Sequence, residues 1–296
     1  MTLRKLIAFI QLTRPLFLVG GVVMYSLGVF MARSQGTPID LPRALLGQAI
    51  ITSIQLMTHY SNEYYDLETD RLIGADRTFF SGGSGVLPAG LLSPLVAQQA
   101  MIIFAAIGFI AIIVGTILSP LVGLIGILGL LGSYFYSAPP LRLSGSGWGE
   151  LTASIIVAVL TPLTGYVLQT NRIDPIVFQI AAPLVLLHLA MVLTFELPDY
   201  AADLATHKQT LAVRLNRNTI GWLYTVLIIA AFALIAITGT SFNRFVWISL
   251  PLAAWQITGG VWRIKRGWTH LGWLTFGGLA LFALSASLWL IGFILT

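Results

Sequence analysis

The chain has 296 residues, is 57% hydrophobic with a mean hydropathy of +0.88, and carries only 9% charged residues, where a soluble domain carries about 25%. This excludes an ordinary water-soluble fold, and the absence of cysteine excludes disulfides, thiolate nucleophiles, Cys-ligated zinc and iron–sulfur clusters. The net charge of +5 does not point to nucleic acid, because Lys and Arg are scattered over short polar segments rather than gathered in one stripe.

Apolar runs near the length of a bilayer predict nine membrane spans over 15–33, 43–61, 94–118, 120–137, 150–169, 175–197, 218–238, 245–263 and 271–295. The runs do not alternate, so a membrane β-barrel is excluded and an all-α polytopic protein, one domain over 1–296, is expected. The first run is too long for a signal-peptide core and reads as a retained span. With the N-terminus and every second loop on one side, that side holds Arg4, Lys5, Arg14, Arg71, Arg77, Arg142, Lys208, Arg214, Arg217, Arg263, Lys265 and Arg266. The other side keeps Arg33, Arg43, Arg172 and Arg244, so the N-terminus is expected in the cytoplasm of a cell-membrane protein. The two long polar loops, 62–93 and 198–217, then share that cytoplasmic side. Long loops in a compact protein carry function or are disordered, and these two hold ordered motifs.

The first motif is "NEYYDLETD", 62–70, in which Asn62, Asp66 and Asp70 recur every four residues and so stack on one helix face. His59 extends the stripe backward, Glu63 lies on its edge, and the stripe rises about 12 Å. The second is "FELPDYAADLATHKQTL", 195–211, where Asp199 and Asp203 repeat the spacing with Glu196 a turn earlier. Asp199 and Asp203 each follow their counterparts, Asp66 and Asp70, by 133 residues, as in a duplicated helix-and-loop unit. Carboxylates so arranged repel one another, and a hard divalent cation relieves the repulsion. Mg²⁺ takes one or two carboxylates together with substrate phosphates, so the pair of motifs predicts a Mg²⁺–diphosphate site. A cation-coupled transporter is the alternative from another class, since intramembrane acids also mark ion pathways.

These motifs, with "TRP" at 13–15, "YSAPPLRLSGSGWGE" at 136–150 and "KQTLAVRLN" at 208–216, resemble the UbiA superfamily of intramembrane prenyltransferases over nearly the whole chain. The resemblance implies a nine-helix bundle around a central cavity that opens sideways to lipid. It implies transfer of a polyprenyl group from its diphosphate to an aromatic acceptor. It assigns Mg²⁺–diphosphate binding to Asn62, Asp66, Asp70, Asp199 and Asp203, diphosphate contact to Lys208, Arg77 and Arg142, and the central catalytic roles to Asp66, Asp199 and Lys208. "PDYAADLATHKQTLAVRLN" looks like the menaquinone-type branch, whose acceptor is 1,4-dihydroxy-2-naphthoate. 4-Hydroxybenzoate, another acceptor, or a cyclase with no acceptor are the alternatives within the superfamily. Against that branch's pattern, His207 and Asn216 replace glycines, and Phe195 and Glu196 replace asparagines.

Tyr65, Tyr136, His59, His188 and Glu196 are candidate substrate contacts. Each tyrosine also reads as an interface-belt residue, and each histidine as a structural hydrogen-bonder. The Ser/Gly-rich stretch 81–85 reads equally as a phosphate-binding nest or a flexible cap. Prenyl length and oligomeric state are not written in the sequence.

Overall fold

The computed structural model describes residues 2–74, 77–239, 242–260 and 271–295, and among these the regular structure is all helical. In chain order the helices are α1 (Leu3–Leu12), α2 (Pro15–Ser34), α3 (Leu41–Tyr65), α4 (Leu67–Ile73), α5 (Pro94–Leu118), α6 (Pro120–Ser137) and α7 (Gly149–Ile155). Then come α8 (Thr161–Thr170), α9 (Pro175–Ala205), α10 (Leu211–Arg214), α11 (Arg217–Thr238), α12 (Asn243–Val246), α13 (Leu250–Trp255) and α14 (Leu271–Ile294). A π-helical turn, 156–160, joins α7 to α8 in one continuous span.

Local chemistry sets the starts. Proline opens α2, α3, α5, α6 and α9, where its missing N–H forfeits no helical bond. Asp40, Ser93 and Asp174 cap α3, α5 and α9 by accepting from the N–H of Arg43, Leu95 and Ile176 at 3.1, 3.3 and 3.1 Å.

Among the described residues, seven helical stretches are long and apolar enough to cross a bilayer, against the nine expected. The two that fall short have different reasons. The 25-residue α3 is long enough, but it carries Arg43, His59, Asn62 and Glu63, which lower its hydropathy. The stretch 243–260 is broken into α12, a 3₁₀ turn, α13 and a π-turn, and Pro251 at the start of α13 removes a donor there. The end of the expected span 245–263, the cations Arg263, Lys265 and Arg266, and His270 lie outside the described residues, as does the side chain of Arg217.

Small residues allow the tightest crossing. A Cβ on Gly28 of α2 would stand 1.8 Å from the Pro162 carbonyl oxygen of α8, and one on Gly165 would stand 2.4 Å from that of Tyr25. Close backbone approach at small residues is the main source of helix packing in lipid. Around α9 the buried Leu184, Leu187 and Leu193 join one core. A second apolar cluster joins Leu12 of α1, Met57 and Tyr60 of α3 and Met101 of α5 to Val86 and Leu87. The segment around Val86 and Leu87 is therefore docked against the bundle.

Between α2, α3, α6, the α7–α8 span, α9 and α14 lies a cavity of about 350 Å³. Its wall includes Leu16 and Val19 of α2, which are 48% and 58% exposed, so it reaches the outer apolar surface. His59 and Tyr136, close to the acidic motifs in the chain, also line it.

Candidate active site

The first acidic arm is bent. α3 ends at Tyr65 and α4 starts at Leu67, with Asp66 at the break. Helical bonds still run across it, from Asp66 N to Asn62 O and from Asp70 N to Asp66 O, both 2.9 Å. The four-residue stacking expected from the spacing therefore survives without one continuous helix. Asn62 Nδ2 donates to Asp66 Oδ2 at 2.5 Å and to Ser137 Oγ at 3.4 Å. Because Ser137 follows Tyr136, this contact ties the arm to the cavity wall.

The second arm is the last two turns of α9, one helix despite Pro183 and Pro198 within it. It ends in a Schellman turn: Lys208 N donates to Asp203 O at 2.9 Å and His207 N to Leu204 O at 3.3 Å. His207 stands at φ +59°, the left-handed region that favours glycine. The glycine of the menaquinone-type pattern at this position thus has a conformational reason, and His207 fills it under strain. Asn216, the other glycine replacement, caps α11 by accepting from Thr219 N at 2.9 Å.

The turn sends Lys208 back into the site. Its Nζ lies 2.9 Å from Asp66 Oδ1 and 3.9 Å from Asp203 Oδ1, so one ammonium bridges the arms. Thr69 and Thr206 hydroxyls meet 3.1 Å apart and close the arms further. Burial lowers the pKa of Lys208, but Asp66 and Asp203 outweigh it and hold the ammonium above its usual value. Asp70 is pushed up as well, in its case toward the neutral form. Burial, with help from Glu63 and Asp66 and against Arg14 and Lys208, raises it to about 7.

The Ser/Gly stretch is an ordered wall. Gly82 N donates to Asp199 Oδ2 at 3.2 Å, and a Cβ on Gly83 would fall 2.0 Å from Asp70 Oδ2. Arg77, expected on diphosphate, donates from Nη2 to the Asp70 carbonyl at 2.8 Å and packs under Gly82 and Gly85. Arg142 is exposed, with φ +42°, at the start of a 3₁₀ turn. Tyr65 packs with Tyr64 and the α5-side cluster rather than on the cavity. Glu196 accepts from Ala212 N at 3.4 Å, beside Glu150, which accepts from Leu211 N at 2.5 Å. These two glutamates hold the segment that follows Lys208.

Tyr136, His59 and His188 line the cavity. His59 Nδ1 is 2.8 Å from the Thr13 carbonyl, which only accepts, so Nδ1 donates. Ser154 spends its proton on the Glu150 carbonyl at 2.7 Å, so His188 Nδ1, 3.0 Å away, donates to Ser154. In the neutral ring each histidine therefore keeps its lone pair on Nε2. Phe17 and Phe282 meet the two rings edge-on.

Among the described residues three buried carboxylate oxygens accept from no donor: Asp70 Oδ2 and Asp199 Oδ1 on the two acidic arms, and Glu150 Oε2. Unsatisfied anionic oxygens in a buried, all-oxygen donor set fit a hard cation such as Mg²⁺. Among the described residues no three acidic or histidine groups converge closely enough to hold a metal unaided. That suits an ion that completes its shell with phosphate oxygens and water.

Sequence reasoning missed Arg14 and Ser84 and left Glu63 at the edge of the stripe. Glu63 is fully buried, and it accepts from Arg14 Nε at 2.9 Å, Ser84 N at 2.6 Å and Ser84 Oγ at 2.8 Å. Adjacency to Asn62 and the "TRP" motif were the available signals.

An all-helical membrane bundle with paired acidic arms near an apolar cavity defines a class of intramembrane proteins. The chain belongs to the UbiA prenyltransferase family, whose model matches residues 22–286. It is 28% identical over 222 residues to a 1,4-dihydroxy-2-naphthoate octaprenyltransferase of Bacillus subtilis (strain 168), covering 70% of this chain and 66% of that relative, just under two thirds of its length. In fold it is similar to a UbiA homolog from Archaeoglobus fulgidus, with TM-score 0.68, 16% identity and coverage of 97% and 98% of the two chains. It is also similar to that homolog bound to GPP and Mg²⁺, with TM-score 0.58, 16% identity and coverage of 95% and 99%.

Proposed function

We propose that the protein transfers a polyprenyl group from a polyprenyl diphosphate to 1,4-dihydroxy-2-naphthoate, in a Mg²⁺-dependent reaction on the cytoplasmic side of the cell membrane. The observation that carries the reading is the meeting of Asp66 and Asp203 on Lys208 near an apolar cavity, with one oxygen each of Asp70 and Asp199 left without a donor. The relative in Bacillus subtilis supports the acceptor, and the GPP- and Mg²⁺-bound homolog supports the donor and the ion.

Asn62, Asp66, Asp70, Asp199 and Asp203 would hold Mg²⁺. When bound, the ion draws negative charge off the leaving diphosphate. Lys208 leaves its carboxylate partners for phosphate oxygens and stabilises the charge that builds as the allylic C–O bond breaks. Arg77 braces Asp70 and the glycine wall. The apolar cavity takes the prenyl tail and keeps water from the allylic cation. Tyr136 faces that cation from the cavity wall and stabilises it with its ring. The acceptor carbon that bears the carboxylate forms the new C–C bond, and CO₂ leaves as its bonding pair returns to the ring. His59 and His188 accept from the acceptor hydroxyls through their Nε2 lone pairs, a chemistry suited to neutral O–H donors rather than anions.

The test is an assay of purified protein in detergent with Mg²⁺ and geranylgeranyl diphosphate, offering 1,4-dihydroxy-2-naphthoate and 4-hydroxybenzoate in parallel. A product with the mass of the prenylated naphthoquinol less CO₂ is expected. Prenylated hydroxybenzoate would overturn the acceptor and keep the chemistry; release of diphosphate with neither acceptor would point to a cyclase.

A further inference from the structure

The glycine wall stands where it does because of Glu63, on the edge of the first acidic motif, and of Arg14 and Ser84 outside it. Gly82, Gly83 and Gly85 have φ of +76°, +70° and +77°, a run of left-handed residues with little intrinsic preference for one shape. Such a segment needs anchoring at both ends. Val86 and Leu87 anchor the far end by burial, at 1% and 2% exposed. Arg77 braces the near end from below. Between them, Ser84 is held twice by one carboxylate, its N–H on Glu63 Oε1 and its hydroxyl on Oε2.

Glu63 is itself fixed. It is fully buried and paired with Arg14, whose Nη2 donates to Oε1 at 2.5 Å and to Asn62 Oδ1 at 3.3 Å. Arg14 comes from the turn between α1 and α2, at φ +50°. Burial lowers the pKa of its guanidinium, but Glu63, Asp70 and Asp66 together outweigh this and hold it raised. One carboxylate therefore joins three separate chain segments. The Asn62 contact extends the network to the acidic stripe, because an arginine only donates and so fixes the amide with Nδ2 toward Asp66.

We propose that Glu63 is a positioning residue that locks the Gly82–Gly85 wall across the diphosphate site, acting through Ser84 and Arg14. This rests on the diphosphate reading above. Glu63 touches neither substrate; it sets where Gly82 meets Asp199 and Gly83 meets Asp70. A wall displaced by about 1 Å loses the fit to diphosphate, and misplacements of that size cost up to about 10²-fold. The acceptor, deeper in the cavity, does not feel the change.

The experiment compares wild type, E63Q, S84A and the conservative S84T, full-length in detergent. It reads amide hydrogen exchange over 80–90 and separate KM values for geranylgeranyl diphosphate and acceptor. E63Q and S84A are expected to speed exchange in that segment about tenfold. Both should raise the diphosphate KM about tenfold, with acceptor KM and kcat within about twofold. S84T should restore both readouts. Unchanged exchange in both variants, or both KM values rising together with a fallen Tm, would overturn the proposal. If E63Q does not fold, S84A decides alone. If wild type binds no diphosphate, the proposed function falls, and the exchange comparison still decides whether Glu63 locks the wall.

Discussion

The two acidic arms keep the same residue spacing and reach it by different backbones. The first breaks at Asp66 between α3 and α4, and the second runs unbroken to Ala205. The first is braced from outside, by Arg14 on Glu63 from 49 residues away. The second is braced by its own turn, where His207 at φ +59° reverses the chain and returns Lys208. What is common to the arms is the stacking of carboxylates one turn apart. What differs is where compensating charge comes from. The spacing is shared by the two arms, and the bracing comes from whichever neighbours each arm has.

The sharpest way to break the comparison is to remove one carboxylate from each arm. D66N and D199N are each expected to lower kcat/KM for prenyl transfer by at least about 10²-fold, the scale lost with one preorganised charge-stabilising group. Product mass with a matched melting measurement checks this, and a variant in either arm with wild-type turnover would show that the arms are not equivalent halves of one site. Next in size is K208M, which removes the ammonium shared by Asp66 and Asp203. Turnover should fall about 10²-fold while Mg²⁺ binding, followed by calorimetry, holds or tightens, because two carboxylates are freed. Weakened Mg²⁺ binding would mean that Lys208 builds the arms rather than serving the diphosphate.

Smaller effects probe the bracing alone. N216A removes the α11 cap and should cost about 1 kcal/mol, read as a lower Tm with kcat unchanged. H207G relieves the left-handed strain and should gain about 0.5–1 kcal/mol, offset in part by the greater freedom of glycine in the unfolded chain. A fall in Tm for H207G would show that the histidine side chain contributes more than its backbone costs.

Much of this was legible in the chain. Apolar length forces helices, since a backbone in lipid must satisfy itself, and the runs at 94–118, 120–137 and 175–197 lie within helices found by the structure. The recurrence of Asn62, Asp66 and Asp70, and of Asp199 and Asp203, identified the acidic faces because i and i+4 stack on any helix. Two of the nine expected spans are not distinguished by length and hydropathy among the described residues. α3 carries Arg43, His59, Asn62 and Glu63, and 243–260 is interrupted near Pro251, so hydropathy blurs both.

The sequence by itself determined the class of fold and the acidic stripes, because each follows from short-range periodicity. Only the tertiary structure decided that Lys208 bridges the arms, that Glu63 holds Ser84 and Arg14, and that His59 and His188 face one cavity. Asp66 and Lys208 are 142 positions apart, Arg14 and Glu63 49, and Glu63 and Ser84 21, while the two histidines lie on separate helices. The geometry of these contacts depends on how helices pack, which no local pattern encodes.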